Sequence, residues 1–369
     1  MKSKYMKTTK EILNQMFTER NSSTKTKETY KRSINYLEKT ISKTLPEMLN
    51  TAETEEENNI SWKNSSLRKW LITYRKWCYT TYKKTTAETY FIAAITTFRH
   101  FEITVNKLPY FSTKKVAKPT PINPDLLVDR DILRLCIDVN NPILKALILL
   151  MSSSGISRSD VLNLTLKDYL ESTYEYHECD DLHQAIETMM DKDVIPTWNI
   201  TRQKTGVSYY TFSSPESTKA INNYLLTRHD DDPRLFKINK RYMSRIFKDT
   251  NDELGLGNNG EFSRFAPHML RRFHATQLIE SGMSESKVDL LQGRKPSSIA
   301  YQSYIKIKPS KLKEEYIGAL PFLVIEDINR VKTELDATKE QLEEVTVENN
   351  KYRNDLKDIL ERIRKLEER

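Results

Sequence analysis

The sequence runs to 369 residues, 38% hydrophobic and 30% charged, with 59 lysines and arginines against 51 acids. No window offers the roughly 20 uncharged apolar residues that a membrane span needs, and the basic start Met1–Lys7 leads into no apolar signal segment; the expectation is a protein outside the membrane, in the cytoplasm. Cys78, Cys136 and Cys179 are odd in number, far apart and without C-x-x-C spacing, which argues against a disulfide framework or a zinc site.

A chain this long exceeds one ordinary core, since domains run to about 100–200 residues, so two domains with appendages are expected. The net charge of +8 is unevenly spread. Residues 324–369 carry 10 basic and 13 acidic side chains, which leaves 49 against 38, a net +11, on the first 323. Such an excess suits a polyanion, nucleic acid above all, although charge by itself does not separate a DNA-binding protein from other basic proteins.

Residues 1–109 read as a small helical domain. The stretch from Lys10 to Asn106 contains no glycine, and the acidic, polar Thr51–Asn59 reads as a long loop within it. Trp70, Tyr74, Trp77 and Cys78 recur at helical spacing, as do Tyr90, Ala94, Ile95 and Phe98, so the aromatics are expected to pack a core, with base stacking as the alternative. Arg68, Lys69, Arg75, Lys76, Lys83 and Lys84 lie between them and are candidates for phosphate contacts. Residues 110–124 hold a basic, proline-bearing run, Lys114 to Pro124, and proline disfavours helix in the residue before it, so a linker is expected.

Residues 125–323 follow as a second domain, mainly α with a small β-sheet. Asp129–Val139 and Pro142–Ser153 read as helices, the second apolar nearly all round and therefore buried. A helical patch with an acidic, His-containing loop spans Tyr169–Asp193; then Val194–Ile200 and Tyr209–Phe212 flank Lys204-Thr-Gly206 as a hairpin, and helices return from Pro215 to about Tyr316. In residues 324–369, Leu335, Leu342, Asn349, Leu356 and Ile363 fall every seven residues, with Thr338, Val345, Tyr352, Ile359 and Leu366 interleaved. This heptad pattern predicts a coiled-coil helix with Asn349 at a core position that sets register, or else one amphipathic helix folded back on its own domain.

Four separated pieces carry the chemistry: Gly155-Ile-Ser-Arg158-Ser-Asp, Gln203-Lys204-Thr-Gly206, Pro267-His268-Met-Leu-Arg271-Arg272, and Leu291-Gln-Gly-Arg294 followed by Tyr304. H-x-x-R alone is a weak signal, but in this order the pieces together resemble the tyrosine recombinase, or phage integrase, family over roughly Asn123–Leu323. The Gly-Arg-Lys-Pro run at 293–296 looks closest to archaeal-type integrases and implies an archaeal or archaeal-virus source. The front domain is similar in position and length to that family's core-binding domain.

The resemblance implies an enzyme that cleaves and rejoins DNA through a 3′-phosphotyrosine, for integration or excision of a mobile element, with no cofactor and no metal. Its partners would be double-stranded DNA attachment sites and its own copies, four on DNA, with self-association through the heptad tail. Arg158 and Arg271 would hold the charge that builds on the phosphate, because guanidinium groups do so in a fixed bidentate geometry without a metal. His268 would bond the phosphate or manage the nucleophile's proton, Lys204 would protonate the departing 5′ oxygen, and Arg294, where the family commonly has histidine or tryptophan, would donate to the same phosphate. Tyr304 is the expected nucleophile and Tyr301 the competing one.

The first arginine departs from the family. The common pattern G-L-R-x-S-E places it where Ser157 stands, and Arg158 comes one position later, a rotation of about 100° on a helix. Arg158 reaches the phosphate if the preceding turn differs by a residue and faces elsewhere if it does not. A type IB topoisomerase-like nicking-closing enzyme, a DNA-binding protein of recombinase descent that has lost catalysis, and a coiled-coil scaffold docking on nucleic acid are the alternatives.

Overall fold

The computed structural model describes residues 7–114, 116, 123–138, 141–203, 205–294 and 308–326, which divide between two compact units, 1–121 and 122–369. Lys204, Tyr301, Tyr304 and the heptad tail lie outside the described residues.

The first unit is five helices: α1 Thr9–Glu19, α2 Thr24–Ile41, α3 Leu45–Glu57, α4 Ser66–Thr81 and α5 Lys84–His100. Local chemistry sets their starts. Thr8 and Thr44 each form a reciprocal capping box, with Glu11 and Glu47, while Ser23 and Ser65 each accept a backbone N–H of the first turn. The core takes one face of each helix and includes Ile12, Ile34, Met48, Leu71, Tyr74 and Phe98. Trp70, Trp77, Tyr90 and Ile95 pack against that core, so the aromatic stripe is a packing face. Tyr36, Trp77, Tyr82 and Tyr90 form one ring cluster with centroids 5.2–5.9 Å apart.

Two sequence expectations change here. The stretch Thr51–Asn59 is not a loop: α3 continues to Glu57, because Glu55 and Glu56 accept hydrogen bonds from residues far along the chain. Glu55 takes the Ser66 backbone N–H at 2.8 Å and its hydroxyl at 2.5 Å, and Glu56 takes the Thr104 N–H at 2.7 Å. Arg75 is no open phosphate contact either; its guanidinium lies 5.9 Å from the Phe91 ring centroid and 5.0 Å from that of Phe111, and burial holds its pKa below the ordinary value.

The second unit opens on a 3-10 turn, Pro124–Leu126, followed by α6 Arg130–Asp138, α7 Pro142–Ser154, α8 Arg158–Val161 and α9 Leu166–Thr173. Another 3-10 turn, Tyr174–Tyr176, leads to α10 Leu182–Met189 and then to the antiparallel hairpin β1 Thr197–Thr201 and β2 Ser208–Phe212. Next come α11 Pro215–Leu226, α12 Lys240–Glu253, the two-residue pair β3 Asn258–Asn259 and β4 Phe262–Ser263, α13 Pro267–Glu280, α14 Glu285–Leu291 and α15 Pro309–Leu323. The mainly helical fold with small antiparallel sheets agrees with the expected class.

Helix α7 is the hub. From Leu144 to Ser154 every side chain but Lys145 is buried, and it packs against α11 and α13, which in turn meets α15. Asn141 caps its start with Pro142 in the first turn, and Gly155 ends it at φ +63°. Thr197 pairs with Phe212 and Thr201 with Ser208, which turns Trp198 and Ile200 into the core and puts Arg202 and Val207 just beyond the paired strands, toward the hairpin tip. After α15, Val324 and Ile325 are buried, and Glu216 of α11 accepts the backbone N–H groups of Ile325 and Glu326 at 2.8 and 2.9 Å. Among the described residues no helix is long and apolar enough to cross a membrane.

Candidate active site

Four segments converge on one guanidinium, that of Arg271. On α13, His268 and Arg271 are three residues apart and share a face. Arg271 is half-buried; its Nη1 donates to the Gly155 carbonyl at 2.5 Å and its Nη2 to the Gln292 carbonyl. The first carbonyl ends α7 and the second follows α14, so one side chain bridges the ends of two helices.

Both carbonyls are themselves held in place. Gln292 Nε2 donates to the Arg271 carbonyl and to His274 Nδ1, each at 2.9 Å. His274 is fully buried, and burial with the nearby Arg271 and Arg294 pushes its pKa down to about 3, so it is neutral. At Gly155 a Cβ would stand 2.5 Å from His274 Nδ1, and at Gly293 (φ +58°) it would run into the Tyr209 ring, so both glycines allow a close approach. The sequence offered His274 no companions; the fold gives it two.

The electrostatics are lopsided. Burial, then Arg294 and Arg202, lower the Arg271 pKa to about 10, with Tyr209 and Asp160 acting the other way. Arg202, at the hairpin tip, donates from Nη1 to the Gly293 carbonyl at 3.0 Å, and its Nε lies 3.9 Å from Asp160 Oδ2. Arg202 was missed in the sequence; the only signal it gave was its position two residues before Lys204. Burial pushes the Tyr209 hydroxyl up to about 12, with Asp160 adding to the rise.

Of the other expected site residues, Arg158, His268 and Arg294 are among the described residues, and Lys204 and Tyr304 are not. Arg158 starts α8 and donates from Nη1 to Ser244 Oγ of α12 at 2.9 Å. Its charge acts on His268: loss of water around the ring, then Arg272 and Arg158, lower that pKa below the ordinary histidine value although the residue is exposed at the surface. The ring of His268 stands edge-on to Phe262 at 4.6 Å. Arg294 is exposed and lies 3.5 Å from Asp289. Cys78 and Cys136 are buried and Cys179 half-buried, all as free thiols.

The arrangement offers an anion several guanidiniums and one neutral imidazole. Residues 130–311 match the model of the phage integrase family. Among solved structures, the chain resembles a lambda integrase tetramer bound to a Holliday junction at TM-score 0.53 and 15% identity, covering 83% of this chain and 82% of that one. It also resembles the Tn1549 transposon integrase in complex with transposon right-end DNA at TM-score 0.51 and 14% identity, over 84% of this chain and 98% of that one. These likenesses are of fold. Among curated protein sequences none matches this chain. On the family match, which spans the bridged helix ends, the hairpin and His268–Arg271, residues 130–311 are a phage integrase family domain.

Proposed function

We propose that the chain is a site-specific recombinase that cuts and rejoins DNA through a 3′-phosphotyrosine, serving integration or excision of a mobile element. The observation that carries this reading is the half-buried Arg271 crowded by Arg202 and Arg294, with its pKa lowered by burial and by those like charges. Repulsion stored this way is relieved by an anion, and a phosphodiester under attack is an anion whose charge grows on its non-bridging oxygens.

The chemistry divides among the residues as follows. Tyr304 Oη attacks phosphorus, the bond to the 5′ oxygen breaks, and Lys204 supplies that oxygen's proton. His268, with its lowered pKa, is neutral near pH 7 and has an acceptor nitrogen for the tyrosine proton. Arg271 and Arg294 hold the phosphate oxygens. The phosphotyrosine keeps the energy of the cleaved bond for the returning hydroxyl, so no nucleotide cofactor is required. Residues 1–109 would act as the core-binding domain and 125–323 as the catalytic domain.

The lambda integrase of similar fold is a tetramer on a Holliday junction. Recombination between two duplexes needs four active sites, and a tetramer on DNA is proposed here too, with the heptads from Leu335 to Leu366 available for self-association. One observation favours a second reading, a DNA-binding protein without catalysis: Ser157 stands where the family carries its first arginine.

Nicked duplexes with randomised flanks separate the two. The protein should form an adduct that survives detergent, and the adduct should vanish in Tyr304→Phe but persist in Tyr301→Phe. Loss only in Tyr301→Phe moves the nucleophile, and no adduct with any duplex favours the non-catalytic reading.

A further inference from the structure

Besides the donor from Arg294, the recombinase reading requires two guanidiniums on the phosphate, one from α13 and one from the loop after α7, and this inference rests on that reading. Arg271 is one, and the position that would carry the other is Ser157. We propose that Arg202 supplies the second guanidinium, reaching the scissile phosphate from the β1–β2 hairpin instead of from the loop after α7.

The hairpin tip holds Arg202 at both ends of its peptide unit. Its N–H donates to the Val207 carbonyl at 2.9 Å, and its own carbonyl accepts from Gly206 N at 2.8 Å. The side chain, 18% exposed, turns toward the end of α14. There Nη1 takes the Gly293 carbonyl while Arg271 Nη2 takes that of Gln292, so the two guanidiniums sit on consecutive carbonyls of one turn. Arg202 Nε is buried with no hydrogen-bond partner among the described residues.

Asp160 ties this arrangement to the loop where the arginine is missing. Its Oδ2 accepts from Ser157 Oγ at 2.7 Å, and its Oδ1 accepts from Gln203 N at 3.2 Å. The carboxylate thus joins the Ser157 segment directly to the residue that follows Arg202. With serine at 157 there is no long side chain there, and Arg202 Nε stands 3.9 Å from the same Oδ2 that takes the Ser157 hydroxyl. Arg158 does not take this place: its Nη1 is on Ser244 of α12, and its charge falls on His268.

The test measures single-turnover adduct formation on the nicked duplex that the wild-type protein selects from the randomised library. At saturating DNA, Arg202→Ala should slow the reaction by on the order of 100- to 1000-fold, the usual effect of removing one donor to a developing oxyanion. Arg158→Ala should slow it less than tenfold. Arg202→Lys keeps the charge and loses the planar fork, so it should also be slow, with an unchanged melting temperature. Added guanidinium ion should restore part of the Arg202→Ala rate. A slow Arg158→Ala beside a fast Arg202→Ala overturns the assignment. So does a fall in rate that guanidinium does not restore, since Arg202 would then be only a tie between Asp160 and Gly293. If the wild-type protein forms no adduct, the recombinase reading fails, and the phosphate contact is read from binding. Removing it should shallow the slope of log K against log salt by about one, and an unchanged slope refutes it.

Discussion

Arg271 owes its position to atoms that carry no charge. Its guanidinium is fixed by the Gly155 and Gln292 carbonyls, and these depend on the buried His274, which fills the space a side chain at 155 would occupy. Gly155→Ala would place a Cβ at φ +63° and 2.5 Å from His274 Nδ1. Strain in the left-handed region and an overpacked ring each cost about 1–3 kcal/mol, so the variant should lose about 2–6 kcal/mol of stability in urea unfolding. Because the residue that shifts is the one bonded to Arg271, adduct formation should slow as well. A variant as stable as wild type would mean that α7 can end without the left-handed turn and that His274 can move aside.

At the scale of elements, α11 and the segment after α15 are joined through Glu216. Burial pushes its carboxyl up to about 7, against the backbone N–H groups of Glu326 and Ile325, which pull it down. The folded value exceeds the ordinary 4.5, so the fold favours the protonated form. Its stabilising effect is full below about pH 4.5 and is lost as pH rises through about 7. Glu216→Gln removes this titration. Gln offers one oxygen and an NH2 that cannot accept, where both oxygens of the carboxyl group meet a backbone N–H, so the variant should be the less stable at pH 5, by about 1–3 kcal/mol. By pH 7.5 the gap to wild type should have narrowed; a gap that is constant or widens shows that the carboxylate is ionised throughout. Glu216 also shows what the sequence conceals. Helix α7 could be read from Pro142 to Ser153 because apolar spacing, a first-turn proline and a terminal glycine are all local, and the hairpin could be read from Lys204-Thr-Gly206. The end of α3 could not, since the groups that use Glu55 and Glu56 lie 11 and 48 residues away. The site divides in the same way: Gly155, His268, Arg271 and Arg294 lie in contiguous motifs, whereas Arg202 and His274 acquire their neighbours from segments that only folding brings together.

The whole chain divides into two units with separate cores, and the first is the smaller. Its five helices cover one another's apolar faces, and four of them start on a side-chain cap, so the local and tertiary preferences of residues 1–121 agree. A fragment of residues 1–121 should therefore fold alone and melt in one cooperative transition. The centre of its core supplies the sharpest check. Tyr74 is fully buried; its hydroxyl donates to the Ser33 carbonyl at 2.9 Å and lies 3.2 Å from Ser33 Oγ, which itself donates to the Tyr90 carbonyl at 2.6 Å. This small network joins α2, α4 and α5, the three helices that pack most closely in the unit. Tyr74→Phe keeps the ring and removes one buried bond, at a cost of about 1 kcal/mol, which for a domain of this size lowers the melting temperature by roughly 5 °C. The shift should be the same in the fragment and in the first unit of the full chain, followed by circular dichroism or by the fluorescence of Trp70 and Trp77. A fragment that is unfolded, or a variant whose shift differs between the two settings, would show that the first unit depends on the rest of the chain for its stability.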